Sequence, residues 1–382
     1  MANATKKLPR RYLHLADLHL GKRLGGFPLL EEQEDVLEQA IALVQARALD
    51  GVLIAGDIYD RPSPPVEAMA LFDRFLTQLH RLGVPAALIS GNHDAPGRIS
   101  YFSDLLAPSG IRVPGEFAGV LECVSSPDDP VQIWLLPFVT PGRVRRFYPE
   151  TPVTTYEEAV RAVLAHSPID KERINLLLAH QFITGGATCD SEELAVGGLD
   201  QVDAAVFADF DYVALGHLHQ PQRCTRDTVR YAGSPLKYSL SEENQRKSFT
   251  LVTVHAKDDI TVEEVPVRFL RDVYTVKGPF AELREAPLTE DYVRVLLTDE
   301  EAQPDARMLL RSNFPRMVRF GVENSRVRTD LIVVPEEAEP ERSPLAMFED
   351  FFIHQNNGTP PTEEQLALAQ EIFRELEEEA RA

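Results

Sequence analysis

The sequence predicts an α/β chain built on a mixed sheet, followed by a smaller α+β unit and a helical tail. Three observations predict it. Five short apolar runs recur before residue 220, each long enough for a buried strand and too short for a helix. Amphipathic helical patterns separate the first three runs, as in a βαβ core. A polar Ser/Pro/Asp stretch between two later strand-like segments reads as a hairpin turn, which makes the sheet mixed.

The elements follow in order. Residues 12–16 form the first run, ending at Asp17 and reaching His19. Residues 31–49 read as a helix with Val36, Leu37, Ala40, Ile41, Leu43 and Val44 on its apolar side. Residues 52–56 end at Asp57. Residues 65–82 read as a second helix, with Met69, Phe72, Phe75, Leu76 and Leu79 inward and Gly83 as the stop. Residues 86–91 end on Asn92 and His93. Residues 119–124 and 131–136 flank the hairpin turn 125–130. Residues 176–179 end at His180, and residues 212–216 end at His217 and reach His219. Residues 248–255 and 261–269 are expected to close the core. Beyond about Arg271, residues 292–297 and 317–322 read as strands and 306–312 as a short helix. This unit carries Arg307, Arg311, Arg316 and Arg319, a basic face that suits solvent and phosphate equally well.

Residues 335–344 form a Pro/Glu linker. Two helical patterns follow. Ser343-Pro344 begins the first, with Leu345, Phe348, Phe351 and Phe352 as an aromatic stripe. Thr362 and Gln365 make a capping box for the second, striped by Leu366, Ala369, Ile372, Phe373 and Leu376. Such a pair has no core of its own, so it docks either on the parent domain or in a partner's groove.

Bulk properties set bounds. The 382 residues, 44% apolar, support two domains or one large domain with additions. Cys123, Cys189 and Cys224 are far apart and form no Cys-x-x-Cys pair, which suggests packing thiols in a reducing compartment. Residues 1–11 lack an apolar segment of signal-peptide length, and no run approaches membrane-spanning length, so a cytoplasmic protein away from membranes is expected. The net charge of −21 argues against a nucleic-acid partner when taken alone. However, residues 336–382 hold thirteen acidic and three basic residues, a net of −10, so nearly half the excess lies in the tail. Cations bound at the strand ends would also offset the local charge.

The run ends carry the chemistry. Asp-x-His, Gly-Asp, Gly-Asn-His-Asp, His and Gly-His-x-His follow one another, each after an apolar run. With the five strands side by side, these side chains reach one rim. Asp17 and His19, on the same side of an extended segment, can share an ion. Asp57 has two oxygens and can bridge a pair of ions, Asn92 offers a carbonyl oxygen, and His180, His217 and His219 offer nitrogen. This set suits Mn(II), Fe(II) or Zn(II); it is too rich in nitrogen for Ca(II) and lacks the thiolates of a structural zinc site. Two metals about 3.5–4 Å apart stabilise the attacking and leaving oxygens of a phosphoryl displacement. His14, His80, His166, His255 and His354 fall outside the pattern and read as packing or surface residues.

These five blocks resemble the calcineurin-like metallophosphoesterase superfamily over about the first 265 residues. With Tyr231-Ala232-Gly233-Ser234-Pro235-Leu236-Lys237-Tyr238-Ser239 they are similar, more narrowly, to the nuclease subunits of bacterial DNA-repair complexes. The resemblance implies a two-sheet β-sandwich flanked by helices, with a small α+β capping domain and C-terminal helices. It divides the chain into a nuclease domain (1–269), a capping domain (270–334), a linker (335–344) and a partner-binding segment (345–382). It implies two divalent ions, Mn(II), one held by Asp17, His19, Asp57 and His219 and the other by Asp57, Asn92, His180 and His217. His93 matches the residue that donates a proton to the departing 3′ oxygen, and Asp94 is expected to orient its ring. Archaeal and eukaryotic relatives commonly carry a second histidine where this chain has Asp60. The implied activity is 3′-to-5′ exonuclease on duplex DNA and endonuclease on single strands or hairpins. It is exercised as a dimer within a heterotetramer with a coiled-coil ATPase. This chain has no Gly-x-x-x-x-Gly-Lys-Ser/Thr loop, so ATP falls to that partner. The rival reading is a phosphatase of small molecules or proteins on the same site.

Overall fold

The computed structural model describes residues 8–324 apart from 102, 115–116, 193–200 and 302, and in the tail residues 352, 360–362 and 365–370. The linker and most of the expected tail helices lie outside the described residues. Two compact units divide at Val273/Tyr274.

The larger unit is built on two six-stranded sheets. The first runs Asp259–Pro266, Ser248–Ala256, Arg10–Leu15, Gly51–Ala55, Ala86–Ile89 and Ile111–Arg112 from edge to edge. Its last four strands are mutually parallel, and the two closing strands are antiparallel. The second runs Gln222–Cys224, Arg226–Tyr231, Tyr212–Gly216, Ile174–His180, Val131–Leu136 and Glu122–Cys123. Both sheets are mixed, as the hairpin predicts; Glu122–Cys123 and Val131–Leu136 pair antiparallel.

The five ligand-bearing strands therefore do not lie side by side in one sheet. Three belong to the first sheet and two to the second. Packing between the sheets brings them together. Tyr12, Leu53, Ala87 and Ile89 of the first share a buried cluster with Leu176, Leu178, Tyr212 and Ala214 of the second. The alternate residues Leu177, Ala179, Val213 and Leu215 join a separate core that includes Val160 and Val163 of the Tyr156–His166 helix. A strand buried on both faces explains why these runs are uninterruptedly apolar. His14 crosses the sandwich, its Nδ1 2.9 Å from the Tyr212 hydroxyl and its Nε2 3.2 Å from the Leu215 carbonyl. It is a packing residue, and burial pushes its pKa down to about 3.

The helices Leu30–Arg47 and Val66–Arg81 follow the first two strands. Val36, Leu37, Ala40, Ile41 and Val44 are buried on the first. The second buries Ala68, Leu71, Phe72, Phe75 and Leu79, whereas Met69, expected inward, is 39% exposed. Gly83 stops it at φ +69°.

The smaller unit holds a three-stranded sheet of Val273–Gly278, Tyr292–Leu297 and Met317–Val322, the last two parallel. Leu283, Val293, Val295, Leu297, Leu310 and Phe314 form its core. Arg307, Arg311 and Arg319 are exposed, and Arg316 is paired with Glu290. In the tail, Thr362 and Gln365 exchange the two hydrogen bonds of a capping box.

Candidate metal centre

The rims of the two sheets meet at backbone distance. His180 Nδ1 lies 2.8 Å from the Ala55 carbonyl across the sandwich. Glycines make this approach possible. A Cβ on Gly216 would stand 1.9 Å from that carbonyl oxygen, and one on Gly91 would stand 2.1 Å from Asp57 Oδ1. The Gly preceding Asn92 and the Gly preceding His217 are therefore imposed by space.

Past the strand ends the backbone turns sharply. Asp17, His19, Asp57 and His217 all have positive φ, between 41° and 113°. Non-glycine residues adopt this region at a cost, and such residues concentrate at functional sites. Asp17 and His19 are thus aimed by left-handed turns, not by the alternation of an extended segment. The turn is held by the neighbouring strand end, since Asp17 N–H donates to the Gly56 carbonyl and His19 N–H to that of Asp57.

The structure brings all seven expected ligands into one cluster. Asp57 Oδ2 lies 3.3 Å from His180 Nε2 and 3.7 Å from His19 Nε2. Asp17, His19 and His219 converge within 4.8 Å, as do Asp17, Asp57 and His180. Asn92 Oδ1 sits 3.0 Å from His180 Nε2 and 3.1 Å from His217 Nδ1. The bend at His217 separates the last pair, because His219 Nε2 faces His19 Nε2 at 3.1 Å instead.

This pocket is short of partners. Asp17 Oδ2, His19 Nδ1 and His217 Nε2 are buried without a hydrogen bond. Unsatisfied buried polar atoms are costly, and a carboxylate oxygen left unpaired among imidazoles, as Asp17 Oδ2 is, suits a cation. The donors, four imidazoles, two carboxylates and an amide oxygen, fit a pair of borderline divalent ions. Protonation agrees. Burial pushes Asp17 well above the usual carboxylate range and His19 well below the usual imidazole range. Burial also lowers His217, to about 3. Burial opposes the charges of Asp57 and His180 too, but each outweighs it for the other: Asp57 stays well below its ordinary value and His180 rises to about 9.

His93 is half-buried with its ring edge-on to His19 at 4.7 Å between centroids. Its N–H donates to Asp57 Oδ1 at 2.9 Å, and its Nδ1 lies 3.1 Å from the Asp60 carbonyl oxygen. Asp94, expected to orient that ring, does something else. Its carboxylate accepts backbone N–H bonds from Ile58, Tyr59 and Gly91 at 3.0–3.1 Å. It ties the Asp57 loop to the Asn92 loop, and the ring contact belongs to Asp60.

A cavity of about 470 Å³ adjoins His93, lined by Lys22, Asp60, Arg61, Glu192 and Tyr238 among others. Sequence reasoning missed the residues behind the ligands. Gln33 accepts from Gly21 N–H and donates to the His19 carbonyl at 2.8 Å. Its signal was a polar residue on the apolar stripe shared with Val36, Leu37 and Ala40. Ser191, Glu242 and Lys247 gave no signal, since only the fold places them beside His219.

Two family models match the chain. The calcineurin-like phosphoesterase model covers residues 10–221, and the SbcD_C model, described as the type 5 capsule protein repressor C-terminal domain, covers 269–356. The SbcD component of the SbcCD nuclease of Staphylococcus epidermidis is 32% identical over 321 residues, 81% of this chain and 84% of that protein. Among solved structures, a dimetal phosphatase from Danio rerio is 13% identical with a TM-score of 0.38, over 68% of this chain and 99% of its own. TT1561 of Thermus thermophilus is also 13% identical, with a TM-score of 0.37, over 67% and 99% respectively. Scores this low have no bearing on function.

Proposed function

The chain belongs to the calcineurin-like phosphoesterases and, within them, to the SbcD family of SbcCD nuclease components, and from this we propose that it cleaves DNA phosphodiesters with two Mn(II) ions. It is a metal-dependent phosphodiesterase. The observation that carries the finer reading is Asp57, a buried carboxylate set between His180 and His19, with Asp17 grouped beside it against His180.

Asp17, His19, Asp57 and His219 would hold one ion, and Asp57, Asn92, His180 and His217 the other. When bound, such ions polarise the phosphoryl group and activate water for in-line attack. The protein's residues supply the rest. The Asp60 carbonyl accepts the Nδ1–H of His93 and fixes its ring, so that in the imidazolium form the second proton, on Nε2, is the one passed to the departing 3′ oxygen, leaving the neutral Nδ1–H ring. Lys22, 2.7 Å from Asp60, and the exposed Arg61, 3.5 Å from it, line the cavity beside His93 and are the cations there that a flanking phosphate would draw on. Asp94 keeps the two ligand loops in register.

The activity is 3′-to-5′ exonuclease on duplex ends and endonuclease on single strands and hairpins, in the cytoplasm. Residues 270–334 cap the DNA, and the tail helices bind an SbcC-type coiled-coil ATPase, in a heterotetramer built on a dimer of this chain. The family match over residues 269–356 supports that assembly. Purified protein with Mn(II), assayed on linear duplex DNA and on a phosphomonoester, with and without the ATPase, tests the reading. DNA cleavage is expected; strong phosphatase turnover without it favours the phosphatase.

A further inference from the structure

His219 is gripped more completely than any other imidazole of the centre. Its backbone N–H donates to Glu192 Oε1 at 2.6 Å, and its carbonyl accepts from Lys247 Nζ at 2.8 Å. Its ring Nδ1 lies 2.7 Å from Ser191 Oγ, and Ser191 Oγ in turn lies 2.6 Å from Glu242 Oε1. Glu242 Oε2 meets Lys247 Nζ at 2.6 Å, and neither side chain of that pair has any exposure. A charged pair taken fully out of water is costly unless every polar atom is satisfied, so its presence here calls for a reason.

The protons along this chain can be assigned. Lys247 is a donor only, and its other contacts are the acceptors His219 O, Ser234 Oγ and Gln245 Oε1. Glu242 also receives the Tyr238 backbone N–H at 3.1 Å. Surrounded by donors and facing a buried ammonium, Glu242 is an ionised acceptor. The Ser191 hydroxyl proton therefore goes to Glu242, and the Ser191 oxygen must accept from His219 Nδ1–H. A neutral imidazole protonated on Nδ1 has its lone pair on Nε2, the atom that faces His19 and the Asp17 carboxylate. His180 has its Nδ1 anchored by a backbone carbonyl alone.

We infer that Ser191, Glu242 and Lys247 form a positioning relay that fixes the proton of His219 on Nδ1 and so presents its Nε2 to the ion shared with Asp17 and His19. This rests on the metal-site reading above. The three residues touch no substrate; they act through His219.

Mn(II) titration of the full chain, with Ser191→Ala, Ser191→Thr and His219→Ala beside the wild type, tests it. Ser191→Ala leaves the ion pair in place, and thermal unfolding in chelator checks that each variant is folded. Ser191→Ala should weaken one of the two ions by about 10–100-fold and leave the other unchanged, with Ser191→Thr restoring it. Nitrogen-15 imidazole shifts of the metal-free protein should show His219 protonated on Nδ1 in the wild type and Ser191→Thr, and a tautomer mixture in Ser191→Ala. If Ser191→Ala binds both ions at wild-type affinity while His219→Ala loses one, the relay is wrong and the site reading stands. If the wild type binds no Mn(II), or His219→Ala binds as the wild type does, the site reading fails. The metal-free spectra still judge the relay then: His219 protonated on Nε2 overturns it.

Discussion

His93 touches the centre through its backbone and its ring edge, and a ring nitrogen lies within 4.8 Å of His19 and Asp57; on the proposed assignment it is the proton donor and not a ligand. Its removal should therefore separate chemistry from metal binding. His93→Ala is expected to lose about 10²–10⁴-fold in cleavage rate, the usual worth of a general acid, while still binding two ions by calorimetry. An equal loss of metal would make His93 a ligand instead. Asp57 and His180 make a pH-dependent prediction. In the metal-free protein His180 holds its proton up to about 9, because the Asp57 charge outweighs burial. Ligation needs the neutral imidazole, so below that pH the ion bound at His180 must displace a proton. Affinity for the ion at His180 should rise about tenfold per pH unit between pH 6.5 and 8 and flatten above 9. Calorimetry in buffers of different ionisation enthalpy reads the released proton directly. Most of this cluster was legible residue by residue, because its expected ligands sit one to three positions past an apolar run. Ser191, Glu242 and Lys247 were not, because a buried polar residue signals nothing until the fold shows what it faces. Asp94 was misread because its neighbour in sequence, His93, is not its partner in space.

At the scale of elements, the strands were legible from composition and the geometry of their ends was not. Uninterrupted apolar runs announce strands buried on both faces, but they do not say which sheet a strand joins. Leu176 and Leu178 pack toward the other sheet while Leu177 and Ala179 face the Tyr156–His166 helix side, a division that alternation alone leaves open. The Val66–Arg81 helix shows a similar limit. Ala68 is fully buried on it, whereas Met69, expected inward, is 39% exposed. The strand ends matter more for function. Gly216 is where the two rims touch, with Ala55 O at 1.9 Å and His180 Nδ1 at 2.8 Å from a virtual Cβ. Gly216→Ala must push the sheets apart at that point. The expected cost is about 1–3 kcal/mol of overpacking, seen as a lower unfolding temperature. Metal affinity should fall with it, since Asp57 and His180 belong to opposite sheets. A variant that keeps full affinity would show that the rim yields without moving the ligands.

At the scale of the molecule, the larger unit closes its two sheets over an unfavourable rim. Asp17 and Asp57 are both fully buried and both face imidazoles that burial discourages from charging, His19 and His217. Without cations, Asp17 is forced toward its neutral form and its Oδ2 stays unpaired. Divalent ions relieve both problems and bind only the folded arrangement, because the ligands come from five distant segments of sequence. Ion binding is therefore coupled to folding of this unit. At free Mn(II) one hundred times the dissociation constant, one site adds about 2.7 kcal/mol to stability. For a unit of this size that raises the unfolding temperature by roughly 2–4 °C per kcal/mol. Chelation should reverse the rise, and the fall should be confined to the transition of residues 8–273. Asp57→Asn supplies the decisive comparison. It removes the carboxylate set between His19 and His180, and with it the charge that holds His180 protonated. That variant should unfold at the same temperature in Mn(II) and in chelator. If it still gains the full wild-type increment, the two ions do not share Asp57, and the stabilisation comes from cations bound elsewhere on a chain of net charge −21.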